Sequence, residues 1–314
     1  MQRRVQIALA IVLAIFAFCI GGRLLHRSSQ EPIYRGKTLS QWLEGCDKSH
    51  WVGTEWRDST EAVRQIGTNA IPHLLGKLRQ KDSTLKRKLW SLTQRQNFIR
   101  LRISPVSAAA QNHKAAVGFE ALGPAAQSAV PALIEIFEES ISADSQSEAA
   151  NSLGWIGPAA RQAIPSLLNG LTNSNYFCRW EIVRALIQMH AQENPQAVSV
   201  FVQNNVEPDL LVSALAKSLS DPSPDVRITA LNGLAGYHYS AKSAIPALIN
   251  CLTDVLGVVQ AQAADELGRF GADAKDASPM LIRLLGSQNQ TVRVHAREAL
   301  KQIDPEAATK AGVN

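Results

Sequence analysis

Aromatic side chains are scarce, at 6% of the chain, while alanine is abundant. That composition suits thin helices stacked side by side. No run of β-branched residues bounded by turn signals occurs, which argues against a parallel sheet. The four cysteines, Cys19, Cys46, Cys178 and Cys251, lie far apart with no Cys-x-x-Cys pair, so neither a zinc site nor a structural disulfide is expected. The seven histidines are scattered, at 26, 50, 73, 113, 190, 238 and 295. His-Glu-x-x-His, Gly-x-Ser-x-Gly, a phosphate-binding glycine loop and a dinucleotide fingerprint are all missing. No catalytic, cofactor-binding or metal-ligating residue is therefore assigned, and no cofactor is expected.

What the chain does contain is repetition. Residues 115–137 read AAVGFEALGPAAQSAVPALIEIF, and residues 149–171, 34 positions on, read AANSLGWIGPAARQAIPSLLNGL. Nine of the 23 aligned positions are identical, among them Gly123/Gly157, Pro124/Pro158 and Pro131/Pro165. A period in the thirties predicts a solenoid. Ala149, Leu153 and Ile156 share one helical face, Gly157 and Pro158 stop that helix, and Pro165 fits the first turn of a second one. Two short helices with one apolar stripe each bury both only by stacking on further copies.

Taking the second-helix proline as zero, a copy should carry Ala at −2, Leu at +2 and an apolar residue at −12. Pro246 and Pro279 satisfy all three; Pro72 and Pro208 satisfy the rule in part. Second helices are thus predicted near Ile71, Val130, Ile164, Asp209, Ile245 and Ser278, giving about six units and a final lone helix over 291–303.

A helix, a Gly-Pro-Ala-Ala turn and a second helix opening with Ala-(Ile/Val)-Pro-x-Leu resemble the HEAT repeat, in its bacterial form similar to the repeats of phycobilin lyases. Asp-Pro-Ser-Pro-Asp-Val-Arg (221–227) and Thr-Val-Arg-Val-His-Ala-Arg-Glu-Ala-Leu (291–300) carry the first-helix pattern of that family. The resemblance covers residues 57–303. It implies an all-α fold, a right-handed α-α superhelix of helical hairpins, and inter-unit pairing of Asp225 and Arg227. It also names one enzyme class, bilin attachment to a cysteine of another protein, for which the chain offers no distinct constellation.

Residues 1–27 differ from the rest. Met-Gln-Arg-Arg precedes 18 residues, 5–22, whose only polar member is Gln6, just long enough for a hydrocarbon core of about 30 Å. No small-residue cleavage site follows. The expectation is one N-terminal transmembrane helix over residues 5–25, hence a single-pass membrane protein with its solenoid on the outer, extracytoplasmic face. Residues 28–56 read as linker and cap, with a capping box from Thr38 to Gln41 and with Trp42, Trp51 and Trp56 closing the solenoid's open end or offering a stacking platform. Residues 304–314 form a tail.

Charge is unevenly spread. Residues 77–102 hold nine Lys and Arg against Asp82 alone, whereas residues 115–160 hold six acids and no Lys or Arg. The basic run, inserted at 81–104 and centred on Lys86, Arg87 and Lys88, reads as a solvated helix face, an anionic-lipid surface or a nucleic-acid surface. The near-neutral remainder argues against nucleic acid. The function expected is that of a membrane-tethered, monomeric scaffold without catalysis of its own, binding a protein or peptide along its second helices. His73, Lys77, Glu135, Glu139 and Asn169 are the expected contact residues. The alternatives are a bilin-lyase-like enzyme and anionic-lipid or nucleic-acid binding.

Overall fold

The computed structural model describes residues 31–46, 54–84, 107–191, 207–236 and 238–313. A two-stranded antiparallel hairpin, β1 (Ile33–Tyr34) and β2 (Lys37–Thr38), opens it. Among the described residues, every regular element after it is a helix. α1 (Leu39–Cys46) leads into alternating first and second helices. The first helices are α2 (Thr54–Ile66), α4 (Ala108–Leu122), α6 (Ala143–Ile156), α8 (Tyr176–Ala191), α10 (Pro224–Leu234), α12 (Gly257–Phe270) and α14 (Gln290–Ile303). The second helices are α3 (Ile71–Leu78), α5 (Val130–Glu139), α7 (Ile164–Gly170), α9 (Glu207–Ser218), α11 (Ile245–Cys251), α13 (Ser278–Leu284) and the short α15 (Pro305–Lys310). The final unit is therefore a pair, and Asp304 caps its second helix by accepting from the Ala307 N–H at 3.0 Å.

The expected N-terminal transmembrane helix lies outside the described residues. Among those described, no helix is long and apolar enough to cross a membrane. The fold class is corrected accordingly to a helical, HEAT-like solenoid with a small β-hairpin at its start, and the single-pass assignment with its membrane contact over 5–25 is withdrawn. The second helices α3, α5, α7, α11 and α13 run only seven to ten residues, each preceded by a 3₁₀ turn that uses up length.

That turn explains the glycine of the repeat. Gly123, Gly157 and Gly271 have φ of 52°, 70° and 54° with ψ near −135° to −141°. A left-handed helical cap would have positive ψ; the observed conformation is one essentially reserved for glycine. It turns the chain sharply into the 3₁₀ segments Gly123–Ala129, Gly157–Ala163 and Gly271–Ala277. Proline then occupies the first turn of α3, α5, α7, α11 and α13, where its missing N–H costs nothing.

Burial follows the unit. One continuous core runs from Leu39 to Val313. The third residue of the later first helices is fully enclosed: Ser145, Cys178, Val226, Val259 and Val292. Consecutive first helices approach closely where a side chain is absent. A methyl group at Gly154 would sit 2.8 Å from Cα of Ala185, and one at Gly268 3.2 Å from Cα of Ala299. At the start, the capping box forms as expected: the Thr38 N–H donates to Oε1 of Gln41 at 2.8 Å and the Gln41 N–H to Oγ1 of Thr38 at 3.3 Å. Leu39 and Leu43 bury fully against the first unit. Trp42 is tied to the hairpin, its indole N–H donating to the Tyr34 carbonyl at 3.0 Å. Trp51 lies outside the described residues.

Candidate docking surface

Two ladders join the units before any surface is considered. The fourth residue of α6, α8 and α10 reaches back to its own preceding loop and across to a neighbour. Arg179 donates to the carbonyl of Asn173 at 2.7 Å and, in a forked pair, to Oδ2 and Oδ1 of Asp221 at 2.7 and 2.8 Å. Arg227 donates to the Asp221 carbonyl at 2.9 Å and to Oδ1 of Asp254 at 2.9 Å, with its Nε 2.7 Å from Oδ2. Gln146 and Asn173 hold the same relation with neutral groups at 2.8 Å. The acid of the pattern is thus Asp221 or Asp254, at the loop, and not Asp225, which is exposed in the first turn of α10. The family-implied pairing through Asp225 is corrected: a side chain one residue into the helix points outward, whereas one in the loop faces the neighbouring arginine. Burial alone would raise the Asp221 carboxyl, but the hydrogen bonds from Arg179 and the Ser223 N–H outweigh it and hold the pKa below the ordinary value.

The sixth residue forms a second, polar row: His113, Glu148 and Glu181 on α4, α6 and α8, followed by Thr229, Gln262 and His295. Nδ1 of His113 lies 3.0 Å from Oε1 of Glu148, whose Oε2 accepts from Asn151 at 3.1 Å. Arg184 donates to Glu181 at 3.0 Å and stacks over the Trp180 ring at 4.7 Å. Burial drives the Glu181 carboxyl up to about 7; Arg184 opposes the shift and Glu148 adds to it. Burial likewise raises Glu120 and Glu266. A perturbed carboxyl often marks chemistry, but Glu148 and Glu181 are only 7% and 3% exposed, wedged between helices and closed to a substrate. Among the described residues, no group of three or more His, Cys, Asp and Glu is placed to hold a metal ion. Cys178 and Cys251 are buried free thiols, each pushed up to about 11 chiefly by burial.

The second helices present the more accessible surface. Four residues past the repeat proline stand Gly76, Glu135, Asn169, Asn250 and Arg283, all exposed, whereas α9 has the buried Val212 at that place. Among the described residues, the side chains of Asn169, Asn250 and Arg283 make no hydrogen bond. Of the five contact residues expected from sequence, Glu135 and Glu139 come together on α5, where both meet Arg79 from the end of α3, Glu139 at 3.9 Å. Lys77 turns aside into the unit joint, donating to Oε1 of Gln111 at 2.7 Å, and burial lowers its pKa. His73 is half-buried on α3, and Asn169 stands apart on α7. Lys86, Arg87 and Lys88 lie outside the described residues.

Asn169 borders a groove of about 280 Å³ between the ends of α5 and α7, lined also by Phe137, Glu138, Gln146, Ser166 and Gly170. Gly170 makes the shape possible, since a methyl group there would meet Phe137 Cζ at 2.6 Å and Ile182 Cδ1 at 2.8 Å. Sequence reasoning named Asn169 but missed Glu138, Ser166 and the groove. The available signal was positional: Glu138 occupies the same place, seven past the proline, as Arg79.

Comparison with known proteins bears on the fold. The profile of the HEAT repeats matches residues 210–301.

Residues 210–301 thus span the HEAT-like units from α9 to α14. Among solved structures, Kap121p bound to Pho4p is similar at a TM-score of 0.51 and 13% identity, covering 87% of this chain and 30% of that one. An engineered protein is similar at a TM-score of 0.45 and 19% identity, over 87% of this chain and 97% of its own. The complex of CpcE and CpcF of phycocyanin lyase from Nostoc sp. gives 0.35 and 23%, over 55% and 98%. At these identities the likeness concerns the fold alone. No curated protein matches the chain in sequence.

Proposed function

We propose that this HEAT-like solenoid is a scaffold that binds a protein or peptide along the row of its second helices. The observation that carries the reading is that row: Glu135, Asn169, Asn250 and Arg283 recur at one offset in four units, exposed and polar, while the α9 unit places the buried Val212 there. A partner running across those four units meets one such side chain in each, so contacts add up without a deep pocket. The first-helix ladders, by contrast, spend their polar groups on each other. His73, Glu139 and Asn169 belong to the proposed contact set, and Lys77 belongs to it only through its aliphatic stem, its ammonium being engaged with Gln111.

The test is site-specific photocrosslinking in the full chain. A crosslinking residue at Asn169 or Asn250 should capture the same partner, while one at Arg297, exposed on first helix α14, should not. Equal capture at all three positions, or capture at Arg297 alone, would overturn the assignment of the surface.

A further inference from the structure

We infer that the groove between α5 and α7 takes a guanidinium side chain of an extended, basic peptide segment; this rests on the scaffold reading above and names its ligand class. The argument begins one gap earlier. Between α3 and α5 the chain supplies its own arginine: Arg79, seven past Pro72, lies against Glu135 and Glu139 of the next second helix. The corresponding residue of the next unit, seven past Pro131, is Glu138. Glu138 reaches across to the same neighbour, but its partner there is a hydroxyl, Oγ of Ser166, at 2.5 Å. Among the described residues no cation lies within ion-pair distance of Glu138. One gap is filled by a cation, and the next has a fixed carboxylate with none among the described residues.

The surroundings favour positive charge in that gap. The groove sits at the C-terminal ends of α5 and α7, the negative poles of the two helices, although the Phe137 and Gly170 carbonyls there accept from Gln146 and the Asn173 N–H. Phe137, Glu138 and Gln146 of its lining belong to the stretch 115–160, which contains six acids and no Lys or Arg. Asn169 and Ser166 add neutral oxygen acceptors along one wall. Arginine suits this set better than lysine. Its planar fork can meet the Glu138 carboxylate with two N–H groups and leave others for amide and hydroxyl oxygens. A volume of about 280 Å³ admits a side chain and little else, so the rest of the peptide must lie along the exposed row.

Fluorescence anisotropy on the full chain tests this with three labelled hexapeptides, alternating Gly-Arg, Gly-Lys and Gly-Glu. The arginine peptide should bind tightest, the glutamate peptide not at all, and Glu138→Gln should weaken arginine-peptide binding about tenfold. Glu61→Gln, which removes an exposed carboxylate from α2, should leave affinity unchanged. Ser166→Ala, which frees Glu138 without removing its charge, should weaken binding less than Glu138→Gln. Unchanged binding in Glu138→Gln, or an equal loss in Glu61→Gln, overturns the inference. If crosslinks still form at Asn169 and Asn250 while Glu138→Gln binds normally, the scaffold stands and the basic ligand falls. If the crosslinks fail as well, both fall.

Discussion

At the scale of single residues, buried charge divides into two kinds with opposite consequences. Asp221 is held by the Arg179 fork, and its pKa is lowered, so its contribution to stability is full above the ordinary carboxylate range and is lost as pH falls through the lowered value. Asp221→Ala leaves Arg179 buried and unpaired and should cost about 3 kcal/mol in denaturant unfolding at pH 7. Glu181 is the reverse case. Its folded pKa is about 7 against an ordinary 4.5, so the folded state binds more protons than the unfolded state between those values. Stability due to this group therefore falls as pH rises from 4.5 to 7 and is flat above. Glu181→Gln should remove that slope, which is bounded by about 1.4 kcal/mol per pH unit. Unfolding curves at pH 5 and 7.5 would check it, and a slope equal to that of the parent protein would refute it. The sixth-residue row was not legible from sequence because no invariant residue marks where each first helix begins. Once Arg179, Arg227 and Arg293 fix the register, His113, Glu148 and Glu181 fall into line.

At the scale of elements, proline made the second helices readable. Its fixed φ and missing N–H confine it to a first turn, and the starts expected near Ile71, Val130, Ile164, Ile245 and Ser278 are the observed ones. The 3₁₀ turns and the hairpin were not readable. Strands of two residues are too short to show alternation, and Gly-Pro-Ala-Ala signals a stop without giving its dihedral angles. The turn glycine makes its own prediction. Gly157→Ala must adopt φ of 70° and ψ of −141° or unwind the turn, so it should lose about 1–3 kcal/mol by thermal unfolding. The same change at Gly76, which has open space around it and no positive φ, should be tolerated or slightly stabilising.

At the scale of the whole molecule, repetition was the clearest signal, and it defined the architecture better than the purpose. The second helices were the expected contact surface; neither the row with Asn250 and Arg283 nor the groove at Glu138 was foreseen, the groove because it depends on an acid replacing a base at equivalent places in neighbouring units. In an array whose units touch mainly their neighbours, damage should stay local. Asp254→Asn should speed amide exchange in α10, α12 and the loop between them and leave α4 protected, as hydrogen-exchange mass spectrometry would report. The ladders also make the two edges of the array unequal. At the loop edge, Arg179–Asp221 and Arg227–Asp254 are forked and about nine-tenths enclosed. At the 3₁₀ edge, Lys242–Asp273 is half exposed and contributes about 0–1 kcal/mol. An array riveted along one margin and loosely basted along the other should change its pitch by fanning, the riveted margin resisting and the basted one spreading.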